Sequence, residues 1–468
     1  MKRKLFLLVG LFAFLTGCTL IPKYTKPEAP VPPAWPSGPA YKEIQTTPGA
    51  PVVTDLKWRE FFTDERLQKI IETALNNNRD LRVASLTVER ARALYRIQRA
   101  EILPTVNAVG SGGKERIPAD LSGTGSSMTA EQYSVNLGIY SWEIDFFGRI
   151  RSLEKRALEE YFATEEARRS AQILLVSEVA NAYLTLAADR EALKLAQSTL
   201  ETQQDAYDLI RRRYEKGLAT ALDLSQAQTQ VDSARVDIAR YTHRVAQDGN
   251  ALNLLVGSPV SSALLPEALS NVTPPKGISP GTSSEVLLHR PDILYAEHLL
   301  KASDANIGAA RAALFPRISL TTAIGTASAE LSGLFKAGSD TWNYSAQIVL
   351  PIFDARTWSA LTVTKVDREI ALAQYEKAIQ GAFREVADAL AVEGTVEDQL
   401  AAQQSLVNAV AETYRLSNLR YEKGVDSYLG VLDAQRSLRV AEQVLIALRL
   451  ARIANQVRLY AVLGGGRY

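Results

Sequence analysis

Cysteine is almost missing from this chain of 468 residues. Cys18 is the only one, so no intramolecular disulfide can form, whatever the redox compartment. The two methionines, Met1 and Met128, are too few for a methionine relay, which weighs against copper as a cargo. Three histidines, His243, His289 and His298, have no metal-ligand spacing, and His243 is expected on a helix surface. There is no phosphate-binding loop and no nucleophile motif. No catalytic or metal-binding residue is therefore assigned, and neither enzyme activity nor a cofactor is expected.

Charge of one sign is missing too. Lys plus Arg total 53 against 52 for Asp plus Glu. Without Lys2, Arg3 and Lys4 the balance is 50 against 52, which leaves no basic excess for nucleic acid. After the N-terminus no run of about twenty apolar residues follows, so a membrane-crossing part must be a closed β-barrel. Proline and glycine are both absent from residues 149–216. A helix that long would measure about 100 Å, which suits a coiled coil or stalk.

What is present is a duplication. Arg213-Tyr214-Glu215-Lys216-Gly217 recurs as Arg420-Tyr421-Glu422-Lys423-Gly424. Glu178-Val179-Ala180 is echoed by Glu385-Val386-Ala387, and Asp80-Leu81 with Leu103-Pro104 by Asp292-Ile293 with Phe315-Pro316. Two similar halves suit a ring or channel better than an enzyme. The expected division is a signal peptide over 1–17, a tether and equatorial segment over 18–63, repeats over 64–257 and 292–464, a linker over 258–291 and a tail over 465–468. Nine of 19 prolines fall between Pro22 and Pro51, and six between Pro259 and Pro291, which predicts extended chain at both places.

Within each repeat the pattern alternates between helix and strand. Val176, Val179, Ala180 and Tyr183 make one helical stripe, matched by Phe383, Val386, Ala387 and Leu390. Gly217 and Gly424 predict helix ends, with second helices over about 221–256 and 428–463. The hairpin tips are then Gly217, Leu218, Ala219, Thr220 and Gly424, Val425, Asp426, Ser427. Period-two alternation predicts strand hairpins over about 105–145 and 317–351, joined by loops at 114–131 and 329–340. Four strands cannot close a membrane barrel, which needs about eight, whereas three chains would supply twelve.

The N-terminus has a basic start, an apolar run over Leu5–Leu15, and Leu15-Thr16-Gly17-Cys18. It resembles a bacterial lipobox, which makes Cys18 the expected lipidation site; Thr19 in place of aspartate favours the outer membrane.

Across nearly its whole mature length the chain resembles the TolC-type outer membrane factors, in particular the lipoprotein branch serving RND-type multidrug efflux pumps. The resemblance is carried by Leu15-Thr16-Gly17-Cys18, Trp142 to Arg149, Arg290-Pro291-Asp292-Ile293, Pro351-Ile352-Phe353-Asp354, the two Tyr-Glu-Lys-Gly tips and Leu432-Asp433-Ala434-Gln435-Arg436. It implies a mainly α chain forming a homotrimer, with a twelve-stranded barrel in outer-membrane lipid and a long periplasmic helical tunnel. The implied partners are a periplasmic membrane-fusion adaptor, met at the tips, and an inner-membrane RND-type transporter. The implied function is a passive exit duct for drugs or other small molecules. It also implies a periplasmic gate at Leu429, Asp433 and Arg436, which share a helix face; Leu222, Gln226 and Thr229 of the first repeat lack the charges. Two alternatives stay open at this point. The same fold serves type I protein secretion and metal efflux, and a structural lipoprotein could span the periplasm with a coiled coil alone.

Overall fold

The computed structural model describes residues 19–41, 56–279, 281 and 283–466. The chain divides into two units. The first comprises residues 1–27, 87–165 and 295–375, and the second residues 28–86, 166–294 and 376–468. The helices are α1 (Glu65–Asn77), α2 (Arg79–Ala100), α3 (Arg149–Glu215), α4 (Ala221–Val256), α5 (Pro291–Ala312), α6 (Ala355–Glu422) and α7 (Tyr428–Val462). The strands are β1 (Val106–Ile117), β2 (Met128–Glu143), β3 (Arg317–Ser328) and β4 (Asp340–Val349).

The first unit contains the sheet. Its order is β1-β2-β3-β4, and every pair is antiparallel. Register stacks like with like, because directly paired residues share a face. Ala108, Leu137, Ile324 and Trp342 lie in one row, and Val106, Ile139, Thr322 and Tyr344 in the next. The opposite face carries Asn107, Gly138, Ala323 and Asn343 in one row. A bulge between Ile139 and Trp142 sets Ser141 at φ 58°, and the Ser141 amide donates to Thr321 Oγ1 at 3.0 Å. The first strand hairpin's loop is shorter than the expected 114–131, at residues 118–127, while the second, at residues 329–339, falls almost where the alternation places it. The β1–β2 ladder runs on through the oppositely charged pair Lys114 and Glu131, which side-chain periodicity does not reveal.

Glu143 ends β2 between two cations. Arg149 grips it in a bidentate pair at 2.8 Å and Arg317 reaches it at 2.7 Å. Asp145 Oδ2 accepts from the Arg151 amide at 2.9 Å and so satisfies an orphan donor at the start of α3.

The second unit buries the predicted stripe. Val176, Val179, Ala180 and Tyr183 are at most 1% exposed, and Val386, Ala387 and Leu390 at most 7%. Phe383 is only half-buried because its ring stacks on Trp35 at 5.4 Å instead of entering the core. An 18-residue stretch of α3 is apolar enough to cross a membrane by composition, yet 61% of it is buried, as expected of a core face. Arg290 ties three elements together: it pairs with Asp292 at 2.7 Å and Glu385 at 2.8 Å, and donates to the Val462 carbonyl at 2.6 Å.

Residues 19–41, the described part of the proline-rich N-terminal segment, are not free chain. In the first unit the Arg311 guanidinium donates to Leu20 O at 3.1 Å, and the Tyr24 hydroxyl donates to Glu297 at 3.0 Å. In the second unit Trp35 Nε1 donates to Gly281 O at 3.1 Å, and Ser284 Oγ donates to Pro32 O at 2.6 Å. Trp58–Phe61 forms a helical turn where none was expected, because Phe61 is fully buried and stacks on Tyr460 at 4.3 Å.

Candidate functional site

The two hairpin tips close by the same backbone device. Gly217 and Gly424 have φ of 71° and 70°, the left-handed region that ends a helix. The Leu218 amide reaches back to Arg213 O at 2.8 Å, and the Val425 amide to Arg420 O at 2.9 Å. Nothing lies within 4 Å of a Cβ built on either glycine, so the constraint there is conformational and not steric crowding.

The side chains finish the two tips differently. Thr220 and Asp223 form a capping box, with the Asp223 amide donating to Thr220 Oγ1 at 3.1 Å and the Thr220 amide to Asp223 Oδ2 at 2.9 Å. Ser427 makes no such bond; Arg420 instead pairs with Asp426 inside its own tip. Ala219 stands where Asp426 stands in the second tip, so Arg213 has no such partner and lies over the Tyr421 ring at 4.9 Å.

A shared core sits behind the tips. Ile210 and Ala227 of the first hairpin pack with Tyr428, Val431 and Leu432 of the second, flanked by Tyr207, Leu224, Tyr414 and Tyr421. Burial, then the neighbouring Tyr414 and Tyr421, push the Tyr428 hydroxyl well above the ordinary tyrosine range. Leu218 and Val425 point the other way, 67% and 61% exposed.

The predicted gate residues lie on the opposite face of α7 from that core. Tyr428, Val431, Leu432, Ala434 and Gln435 are buried; Leu429, Asp433 and Arg436 are exposed. Arg436 donates to Asp433 at 2.7 Å within the same helix. The pair seen is thus intrachain, at i and i+3, where exposed ion pairs are worth a few tenths of a kcal/mol. Leu222 of the first repeat is likewise exposed, with Gln226 and Thr229 beyond it.

The comparisons with known proteins decide the family. The outer membrane efflux protein model matches residues 70–258 and 282–465, the two repeats. The chain belongs to the outer membrane efflux protein family. It is 50% identical over 455 residues to the antibiotic efflux pump outer membrane protein ArpC of Pseudomonas putida, covering 97% of this chain and 94% of that one. A membrane protein from Pseudomonas aeruginosa has the same fold at a TM-score of 0.90 and 43% identity, covering 96% of this chain and 98% of that one. The open state of the MtrE outer membrane channel of Neisseria gonorrhoeae matches at 0.85 and 36%, over 96% and 98%. This efflux protein is an outer-membrane channel that serves as an exit duct, a transport component. The reading as a coiled-coil spacer is thereby set aside.

Cys18 of the efflux protein lies outside the described residues. The segment that follows it is seated on α5. A Cβ on Gly308 would come within 2.6 Å of Ile21 Cγ1, so only glycine lets the chain pass so close. Among the described residues no group of three or more His, Cys, Asp or Glu could hold a metal. His243 is exposed as expected, but His298 is not free: its Nδ1 is 2.7 Å from Glu159, which also takes Lys155 at 2.6 Å. Burial works against the Glu159 charge, and His298 and Lys155 outweigh it, holding the carboxyl below its ordinary range. Arg439 was also missed; it links α7 to α4 through Ser233 at 3.1 Å and Asp237 at 3.4 Å. Its neighbours on the helix face, Gln435, Arg436, Glu442 and Gln443, are all polar, so nothing in the sequence sets it apart.

Proposed function

We propose that three copies of this chain close one twelve-stranded barrel and conduct small organic molecules, drugs among them, out of the cell. The observation that supports this is the sheet. Its apolar face is exposed in the single chain, with Leu137 at 52%, Ile324 at 64%, Trp342 at 80% and Ile348 at 68%. A water-soluble sheet would bury that face. Strands β1 and β4 are both edges among the described residues, and open edges do not occur in the hydrocarbon of a bilayer. Pairing β4 of one copy with β1 of the next removes both edges and leaves the apolar face to lipid and the small polar face to the lumen.

In this reading Cys18 carries the lipid and the Gly217 and Gly424 tips meet a periplasmic membrane-fusion adaptor. Leu429, Asp433 and Arg436 narrow the periplasmic mouth, and an inner-membrane RND-type transporter supplies the drive. Organic cargo is supported by the likeness to ArpC, an antibiotic efflux pump outer membrane protein. The test has two parts. Unheated protein on a detergent gel should run as a trimer that heating collapses. Deleting the gene should raise susceptibility to organic antibiotics, with restoration requiring a cognate pump and adaptor. A monomer in the unheated lane, or unchanged susceptibility, overturns the reading.

A further inference from the structure

The first hairpin holds a carboxyl pair that transport through a duct does not use. Ile210 and Ala227 face each other at the tip, seven residues before Gly217 and seven after Thr220. Three heptads further up, 21 residues along each strand of the coiled coil, the same seam brings Asp189 of α3 opposite Asp248 of α4. The two carboxyl groups lie within reach of each other, close enough for a shared proton to bridge them. Asp248 Oδ2 is buried with no hydrogen-bond partner, and the Asp189 side chain is 18% exposed. Two carboxyl groups can share a hydrogen bond only when one of them holds a proton.

The surrounding charges do not replace that proton. Arg244 on α4 approaches Asp189 at 3.9 Å, and Arg240, also on α4, is held by Asp237 at 2.8 Å. On α3, Arg190 turns to the Pro266 carbonyl at 2.7 Å, and Glu191 faces Arg449 of α7 at 3.6 Å. The second hairpin serves as an internal control. Its equivalent positions are Val396 and Asn455, and the Asn455 amide donates to Ala389 O and Glu393, both at 3.1 Å. That joint needs no proton.

We propose that Asp189 and Asp248 are a proton-operated clasp. With one shared proton they tie α3 to α4; without it the two carboxylates repel and the first hairpin loosens, while the second stays as it is. Burial, then the Asp189 charge, push the Asp248 carboxyl up to about 6. Burial also raises Asp189, against the opposing pull of Arg244. A raised carboxyl pKa means that the native chain binds the proton more tightly than the unfolded chain. The clasp is therefore fully formed below about pH 4 and is lost as pH rises through about 6.

Hydrogen exchange read by mass spectrometry on the intact purified protein tests this, with the second hairpin as reference and intrinsic rates corrected. Peptides around Asp189 and Asp248 should lose protection, relative to those around Val396 and Asn455, by up to about a hundredfold between about pH 4 and pH 8. In Asp248→Asn, which copies the second repeat, the ratio should stay flat. Asp189→Asn carries the same expectation if Asp248→Asn does not fold. A flat ratio in the wild-type chain, or an undiminished loss in the folded variant, overturns the clasp. Neither outcome bears on whether the chain is an efflux duct.

Discussion

Arg213 lies over the ring of Tyr421, 4.9 Å from guanidinium carbon to ring centre, and so joins the ends of two hairpins that the sequence writes with the same Arg-Tyr-Glu-Lys-Gly motif. The tips therefore rest on each other through a contact that only one of the two arginines makes. Arg420 is committed to Asp426. Removing Arg213 should free the first tip from the second, while removing Arg420 should disturb only its own turn.

The first prediction follows from that asymmetry. A partly exposed cation–π contact is worth about 0.5–1 kcal/mol. Arg213→Ala should therefore loosen the tips without unfolding the hairpins and raise single-channel conductance in planar bilayers. Arg213→Lys keeps a cation over the ring and should lie between. A double-mutant cycle with Tyr421→Leu should show the effects to be non-additive. Strict additivity would mean that the two side chains merely lie near each other.

The second prediction concerns the glycines. At φ near 70°, a β-branched residue pays the left-handed penalty of about 1–2 kcal/mol, and asparagine much less. Gly424→Val should abolish efflux while the heat-sensitive trimer band persists, and Gly424→Asn should retain efflux. Because a Cβ there meets nothing within 4 Å, equal loss in both variants would point to the surface itself and not to the turn.

Much of this architecture was legible in the chain. Gly217 and Gly424 marked both turns because few residues adopt that backbone, and Leu137, Ile324 and Tyr344 marked a sheet face because strand side chains alternate. What stayed hidden was contact between positions far apart in sequence. Arg213 and Arg420 sit in identical motifs, and only the Ala219 versus Asp426 difference hints that they part ways. Asp189 and Asp248 look like ordinary surface acids until the hairpin register sets them face to face. Tyr428, beside Leu429 in the chain, is core at 3% exposure, leaving Leu429, Asp433 and Arg436 as the exposed face.

The third prediction concerns Arg290, whose side chain is 9% exposed. Burial works against its charge, yet Asp292 and Glu385 hold the guanidinium firmly protonated. Arg290→Ala would strip the Val462 carbonyl of its donor and uncouple α5 from α6 and α7. Its carboxylate partners are each 40% exposed and can rehydrate, so the cost should be about 2 kcal/mol, below that of a fully buried pair. Arg290→Lys should recover only part, since an ammonium cannot reproduce the fork. The midpoint temperature of trimer dissociation on detergent gels measures both.

The fourth prediction is the anchor. Cys18 should carry acyl chains, with the mature chain beginning there, and the segment seated through Ile21 and Gly308 should fix where the lipid leaves the protein. Intact mass spectrometry decides it: added acyl mass on a chain beginning at Cys18 is expected. A different first residue, or an unmodified cysteine, ends the idea. The barrel should supply most of the membrane holding, since acyl chains alone anchor weakly.

The last prediction concerns the mouth of the duct. Asp433 and Arg436 are 66% and 65% exposed in the single chain and are satisfied by each other at 2.7 Å. On its own such a pair contributes little, because water screens both charges. A trimer changes the argument, because three-fold symmetry would set three acidic and three basic groups around one axis, where rings of fixed charge select ions. Asp433→Ala should remove the acidic ring and leave Arg436 without its partner on α7. Conductance should rise, preference for cations should fall, and cells should become leakier to large antibiotics. Asp433→Glu, which keeps the charge, should hold the wild-type selectivity. Gln226→Ala in the first repeat, where no charge stands, should change neither quantity. If Asp433→Ala conducts and selects as the wild type does, the pair is no more than a solvated i, i+3 contact, and the constriction lies at another level of the hairpins.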